Sequence, residues 1–164
     1  MEQRETWHEY FMKVAEVVAS RATCDRKHVG AVIVQNNTIV ATGFNGSPRG
    51  MPHCSEIGHE MKDLGGRQSC IRTTHAELNA IIQAARTGVR IEGSTLFTTA
   101  SPCYDCMKAI INAGIICVVC KEYYASRYGM SDDMGEFAKR AGVTFIFLGG
   151  ADLIPGTKPA ELEK

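Results

Sequence analysis

Apolar positions near the start of the chain recur at intervals of three and four: Trp7, Tyr10, Phe11, Val14, Val17 and Val18. Together with Thr6 and Glu9, spaced as a capping box, they predict a helix from about Thr6 to about Arg21. Val29 to Gln35 and Thr38 to Gly43 are β-branched runs on either side of Asn36-Asn37, which reads as a hairpin. From Phe44 to Arg72 the apolar period is lost among glycines, prolines and polar clusters, and a long loop is expected. Loops of that length in a compact domain are usually functional or pinned. Regular patterning then returns. Leu78, Ile81, Ile82 and Ala85 mark a helix, Thr95 to Thr99 a strand, Met107, Ile110 and Ile111 a helix, and Ile115 to Cys120 a strand. Met134, Phe137, Ala138 and Ala141 mark the last helix, and Val143 to Leu148 the last strand.

The order αββαβαβαβ, with short strands that are almost wholly apolar, predicts an α/β fold: one mixed five-stranded sheet covered by helices on both faces, a three-layer αβα arrangement. A length of 164 residues, 45% hydrophobic and 22% charged, fits a single domain over residues 1–150 with a loosely packed tail over 151–164. Lys and Arg total 18, as do Asp and Glu, so no net field draws the chain to nucleic acid or to anionic lipid. A small anionic substrate remains compatible with that balance. No membrane span is read, and the opening residues lack an apolar secretion segment, so a cytoplasmic protein is expected.

Seven cysteines in a reducing compartment suggest metal or redox chemistry more than disulfides. His75-Ala76-Glu77 opens one predicted helix and Pro102-Cys103-Tyr104-Asp105-Cys106 opens the next, with Ser101 suited to the N-cap and Pro102 to the first turn. Helix N-termini stabilise thiolates through the dipole and the free backbone N–H groups. His75, Cys103 and Cys106 would give zinc three ligands and leave a fourth position open to water, whose pKa zinc lowers towards about 7. Glu77 is then the residue placed to move protons. Each half has an ordinary alternative: Thr74 and Glu77 also fit a capping box, and a lone Cys-x-x-Cys also fits a redox dithiol. The combination of His-x-Glu with Pro-Cys-x-x-Cys on consecutive helices matches the pattern of zinc-dependent nucleobase deaminases.

Residues His75 to Ile81, Ser101 to Cys106 and Gly43-Phe44-Asn45-Gly46-Ser47-Pro48 resemble the deoxycytidylate (dCMP) deaminase family, a branch of the cytidine deaminase superfamily, over roughly Tyr10 to Leu148. The zinc motifs are shared across the superfamily. The Gly-Phe-Asn-Gly-Ser-Pro stretch is the more discriminating, with Phe44 where many relatives have Tyr. The resemblance implies a cytidine-deaminase-like fold and hydrolysis of dCMP to dUMP with release of ammonia, supplying dUMP for thymidylate synthesis. Hydroxide on zinc would attack C4 of the cytosine ring while Glu77 protonates N3 and then the departing amine. The Ala76 backbone N–H would meet the base carbonyl, Asn45 the deoxyribose, and Tyr124 and Arg26 the phosphate. It also implies a homohexamer activated by dCTP and inhibited by dTTP, with Mg2+ accompanying the nucleotide effectors. Gly43, Phe44, Gly46 and Arg86 would then lie at effector or subunit contacts, although an Arg at a helix C-terminus is also an ordinary solvated residue.

Among the remaining cysteines, Cys117 and Cys120 lie in the apolar run Ile115 to Cys120 and read as core residues. Cys24, Cys54 and Cys70 look like ligands of the second, structural zinc of some family members, with His59 completing the set. His53 could replace Cys54, and three unpaired loop thiols are the plain alternative. Deamination of free cytidine or of adenosine in tRNA is a neighbouring reading of the same zinc unit. A binding module with only structural cysteines is a reading of another class.

Overall fold

The computed structural model describes residues 4–66, 68–123 and 134–148. Its main sheet has five strands: β1 (Gly30–Gln35), β2 (Thr38–Phe44), β5 (Thr95–Ala100), β6 (Cys117–Glu122) and β7 (Thr144–Phe147). They lie in the order β2-β1-β5-β6-β7. β1 pairs antiparallel with both β2 and β5, whereas β5, β6 and β7 run parallel. Asn36 and Asn37 take φ of 50° and 56° at the β1–β2 turn, the conformation for which an Asn pair is suited.

Successive residues of β1 face opposite ways, and both faces are buried, which is why the strand is apolar throughout. On one face Val32 and Val34 join Phe97 and Val119 under helix α1 (Trp7–Ala19), which contributes Phe11, Met12 and Ala15. On the other, Ala31 and Ile33 join Leu96, Val118 and Cys120 beneath helices α3 (Ala76–Thr87), α4 (Tyr104–Asn112) and α5 (Met134–Arg140). The expected three-layer αβα architecture is therefore present. α1 begins with the expected capping box, the Glu9 N–H reaching Thr6 Oγ1 at 3.3 Å and Glu9 Oε2 accepting from the Thr6 N–H at 2.8 Å.

Two glycines set how closely helices approach the sheet. A Cβ at Gly30 would run into the backbone of Ala15 and Ala19 in α1, and one at Gly43 into the backbone of Ala76 and Ala80 in α3. Gly43 thus lets the first turns of α3, where His75 and Glu77 sit, lie directly on β2.

The stretch from Phe44 to Arg72 differs from the expected loop. Phe44 ends β2, and the segment contains a one-turn helix α2 (Cys54–Ile57) and a hairpin of β3 (Met61–Asp63) with β4 (Gln68–Cys70). Elements of three or four residues are too short for a hydrophobic period to register, and β3 is exposed along its whole length. The segment is pinned at its ends. Gly46 and Thr74 exchange backbone hydrogen bonds of 3.1 and 2.8 Å, and the Ser55 N–H donates to the Thr23 carbonyl. Tyr124 and the expected tail over 151–164 lie outside the described residues. No helix among the described residues is long and apolar enough to cross a membrane.

Candidate active site

Two helix N-termini converge on one point. His75 is the N-cap of α3 and Cys103 the N-cap of α4, both in extended backbone conformation, and Cys106 lies in the first turn of α4. The His75 Nδ1 is 3.5 Å from Cys103 Sγ and 3.4 Å from Cys106 Sγ. Both cysteines are buried. This settles one alternative and corrects one reading. The N-cap of α3 is His75 and not Thr74, whose backbone is spent on the bridge to Gly46, so Thr74 and Glu77 form no capping box. The N-cap of α4 is Cys103 and not Ser101, whose N–H donates to the Glu122 carbonyl, so Pro102 stands just outside the helix.

The electrostatics are those of a metal-ready site. The Cys106 thiol donates to Cys103 and, against the cost of burial, His75 and the Cys106 backbone N–H add to the effect, holding Cys103 down at about 3. Cys106 is correspondingly raised by that hydrogen bond to Cys103, by burial and by the Glu77 charge. One proton thus serves two sulfurs, and a divalent cation placed between them would displace it. One imidazole and two thiolates fit Zn2+, with a fourth position left for water. With His75 in reach of both sulfurs, the pair is a metal-ligand set more than a redox dithiol.

Glu77, in the first turn of α3, is only 3% exposed. Burial pushes its carboxyl from 4.5 up to about 7, with His75 and contacts including the Cys106 thiol acting partly against it. A buried carboxyl poised near neutrality beside the ligand set has the property required of a proton shuttle. Ala76, fully buried, is the first residue of α3, so its backbone N–H is one of those with no acceptor inside the helix.

The other expected residues are distributed around this centre. Asn45 is buried, its Oδ1 accepting from the Val29 N–H and its Nδ2 donating to the Lys27 carbonyl, both at 2.8 Å. It ties the end of β2 to the segment entering β1. Gly43 and Gly46 are buried against α3 and against Thr23, respectively, whereas the Phe44 ring between them is partly exposed. Arg26 is exposed and reaches Met61 Sδ at 4.0 Å, and Arg86 is exposed in the last turn of α3. The sequence reading did not single out Asn79, whose Nδ2 donates to the Phe44 carbonyl at 2.8 Å and fastens the Gly43–Pro48 stretch to α3. Its position one turn after His75 was the available signal.

A second cluster closes the insertion. Cys54 Sγ and Cys70 Sγ lie 3.8 Å apart, each 3.7 Å from Thr73 Oγ1. His59 joins them in one set of donor atoms within 4.8 Å of one another, and His59 also belongs to a set with Cys24 and Asp25. Burial opposes the Cys70 thiolate, but the Arg72 N–H, the Thr73 hydroxyl, His59 and the Glu60 backbone outweigh it and hold Cys70 at about 6. Two of the loop thiols, Cys54 and Cys70, are thus side by side with His59, whereas Cys24 meets His59 in a separate set with Asp25. Asp25, paired with His59 Nε2 at 2.9 Å, was not foreseen, since only adjacency to Cys24 pointed to it. Cys120 is fully buried beneath α3 and α4 and Cys117 packs on the α1 side, with burial raising them to about 12 and about 11.

A profile described as the cytidine and deoxycytidylate deaminase zinc-binding region matches residues 5–122. The chain is 42% identical to ComE operon protein 2 of Bacillus subtilis over 142 residues, covering 87% of this chain and 71% of that protein. It is 36% identical to the deoxycytidylate deaminase of Saccharomyces cerevisiae over 144 residues, covering 86% of this chain but 44% of the yeast protein. The chain therefore spans less than half the length of that relative. Among solved structures, the dCMP deaminase of cyanophage S-TIM5 in complex with dCMP and dUMP superposes with a TM-score of 0.70 at 33% identity, over 85% of this chain and 95% of the other. With the His75, Cys103 and Cys106 triad and buried Glu77 inside the matched span, this chain belongs to the cytidine and deoxycytidylate deaminase family.

Proposed function

We propose that the chain catalyses hydrolytic deamination of dCMP to dUMP with release of ammonia. The observation that carries this reading is the placement of His75, Cys103 and Cys106 at two converging helix N-termini with the buried Glu77 carboxyl beside them. Likeness to an enzyme solved with dCMP and dUMP supports the choice of substrate. His75, Cys103 and Cys106 would hold zinc, which when bound would supply Lewis acidity and lower the pKa of a water. The protein's own residues do the rest. Glu77 accepts a proton from the attacking water and delivers it to N3 of the cytosine ring, then takes the remaining proton of the added hydroxyl and passes it to the departing amine, each step helped by a carboxyl poised near neutrality. The Ala76 N–H donates to the base carbonyl. Asn45, Arg26 and Tyr124 would meet the sugar and phosphate, Asn45 at the junction of β2 with the entry to β1.

Cys54, Cys70 and His59, with Cys24, would hold a second, structural zinc. Support comes from the donor atoms of Cys54, His59 and Cys70, which lie within 4.8 Å of one another. Binding there offsets the entropy of ordering the insertion and steadies the Gly46–Thr74 bridge next to His75. In the same reading the protein is a cytoplasmic homohexamer that supplies dUMP for thymidylate synthesis. dCTP activates it and dTTP inhibits it, both with Mg2+, through the Gly43-Phe44-Gly46 stretch and Arg86. Comparing rates on dCMP, deoxycytidine, cytidine and a tRNA anticodon stem tests the central assignment. dCMP should be preferred by a factor of at least about 100, and a preference for an unphosphorylated nucleoside or for the RNA would overturn it.

A further inference from the structure

Histidine offers a metal only one nitrogen, and which one is decided by the hydrogen bond that the other makes. At His59 that choice is visible. Nε2 lies 2.9 Å from Asp25 Oδ1, while Nδ1 is buried and has no hydrogen-bond partner. The carboxylate can only accept, so Nε2 carries a proton and Nδ1 is the nitrogen left to meet a metal held with Cys54 and Cys70. Cys54 and Cys70 supply the neighbouring sulfurs.

We propose that Asp25 is the positioning residue of the second zinc site, setting the tautomer and orientation of His59 so that Nδ1 is the coordinating atom. The inference rests on the reading that Cys54, His59 and Cys70 hold zinc. Asp25 is not required by packing, because its side chain is 66% exposed whereas that of His59 is 22% exposed. It follows Cys24 directly, so one short segment after α1 supplies both a thiol and the partner of the imidazole. That segment thereby clamps the end of α1 to the insertion across more than thirty residues of sequence. Direct ligation by Asp25 is the competing role, since Asp25, Cys24 and His59 also form a set of close donors.

The two roles respond differently to substitution. Asp25→Ala removes the acceptor, whereas Asp25→Asn keeps an oxygen that can accept from Nε2 but is a poor zinc ligand. The experiment uses the zinc-loaded full chain and follows release of zinc to 4-(2-pyridylazo)resorcinol. The catalytic zinc serves as internal control, and Cys70→Ser identifies the second-site phase. Loss of a partner that orients a metal-bound His typically weakens metal affinity by about 10–100-fold. Asp25→Ala should therefore release the second zinc about 10–100-fold more readily, leave the first unchanged, and be largely rescued by Asp25→Asn. A long-range proton–nitrogen spectrum of the zinc-loaded wild type should show the His59 ring protonated at Nε2, its signals assigned by their loss in His59→Gln. If the wild type binds two zincs and Asp25→Ala holds the second as tightly, the inference fails and the second zinc stands. Equal weakness of Asp25→Asn and Asp25→Ala, or metal on Nε2, also overturns it. If the wild type binds a single zinc, the underlying reading fails and takes the inference with it.

Discussion

Replacing Glu77 by Gln should raise stability and abolish turnover in the same molecule. The Glu77 carboxyl is 3% exposed, and burial moves it from 4.5 to about 7 in the metal-free protein. A carboxyl that binds its proton more tightly in the folded than in the unfolded chain leaves stability intact below about 4.5. As pH rises through the interval up to about 7 the unfolded state ionises first, and stability falls. At 1.36 kcal/mol per pH unit the loss reaches about 3 kcal/mol by pH 8 and stays below about 1 kcal/mol at pH 5. Gln preserves the shape and does not titrate. Zinc-stripped Glu77→Gln should therefore nearly match the wild type at pH 5 and exceed it by about 3 kcal/mol at pH 8. With a urea m-value of about 1–3 kcal/mol/M, that is a rise in midpoint of about 1–3 M. The assay is urea unfolding followed by circular dichroism at pH 5, 6, 7 and 8, with reductant and chelator present. The thiols are common to both chains, so their titration largely cancels. With zinc restored, dCMP turnover of the variant should drop by about 100- to 10,000-fold. A stability gap that does not change with pH, or retained turnover, would refute the assignment of Glu77 as a buried, titrating proton carrier.

Gly43→Ala should destabilise by about 1–3 kcal/mol, because the added Cβ collides with the backbone of α3 at Ala76 and Ala80. Urea midpoints measure the loss, and kcat should fall with it because that helix carries His75 and Glu77. Cys70→Ser should release one zinc per chain and loosen the insertion behind Thr74, read as new proteolytic cleavage between residues 47 and 73. Unchanged zinc content and an unchanged cleavage pattern would remove the structural site.

What could be read from the sequence is what local spacing encodes. The αβα layering followed from continuous apolar strands such as Ala31 to Val34, since a strand buried on both faces has no polar side. The candidate set of His75, Glu77, Cys103 and Cys106 was legible because these residues sit at helix starts, where near neighbours in sequence share a site. The start of α4 lies two residues beyond the expected cap. Capping preferences favour Ser101, whereas its bond to Glu122 leaves the cap to Cys103. The short elements α2, β3 and β4 were missed because a single turn and three-residue strands hold no period, and they exist through contacts such as Ser55 with Thr23. The Asp25–His59 and Asn79–Phe44 contacts join residues 34 and 35 apart, which no local pattern predicts.

The most direct test of the whole account is to add zinc back in steps to metal-stripped protein while recording, on one sample, bound zinc per chain and conversion of dCMP to dUMP and ammonia. The account predicts no turnover without zinc and a plateau at two zincs per chain. dUMP and ammonia should form in equal amounts, and Cys103→Ala should stay inactive at any zinc level. Full turnover of dCMP by zinc-free protein, or none by protein carrying zinc at His75, Cys103 and Cys106, would contradict it.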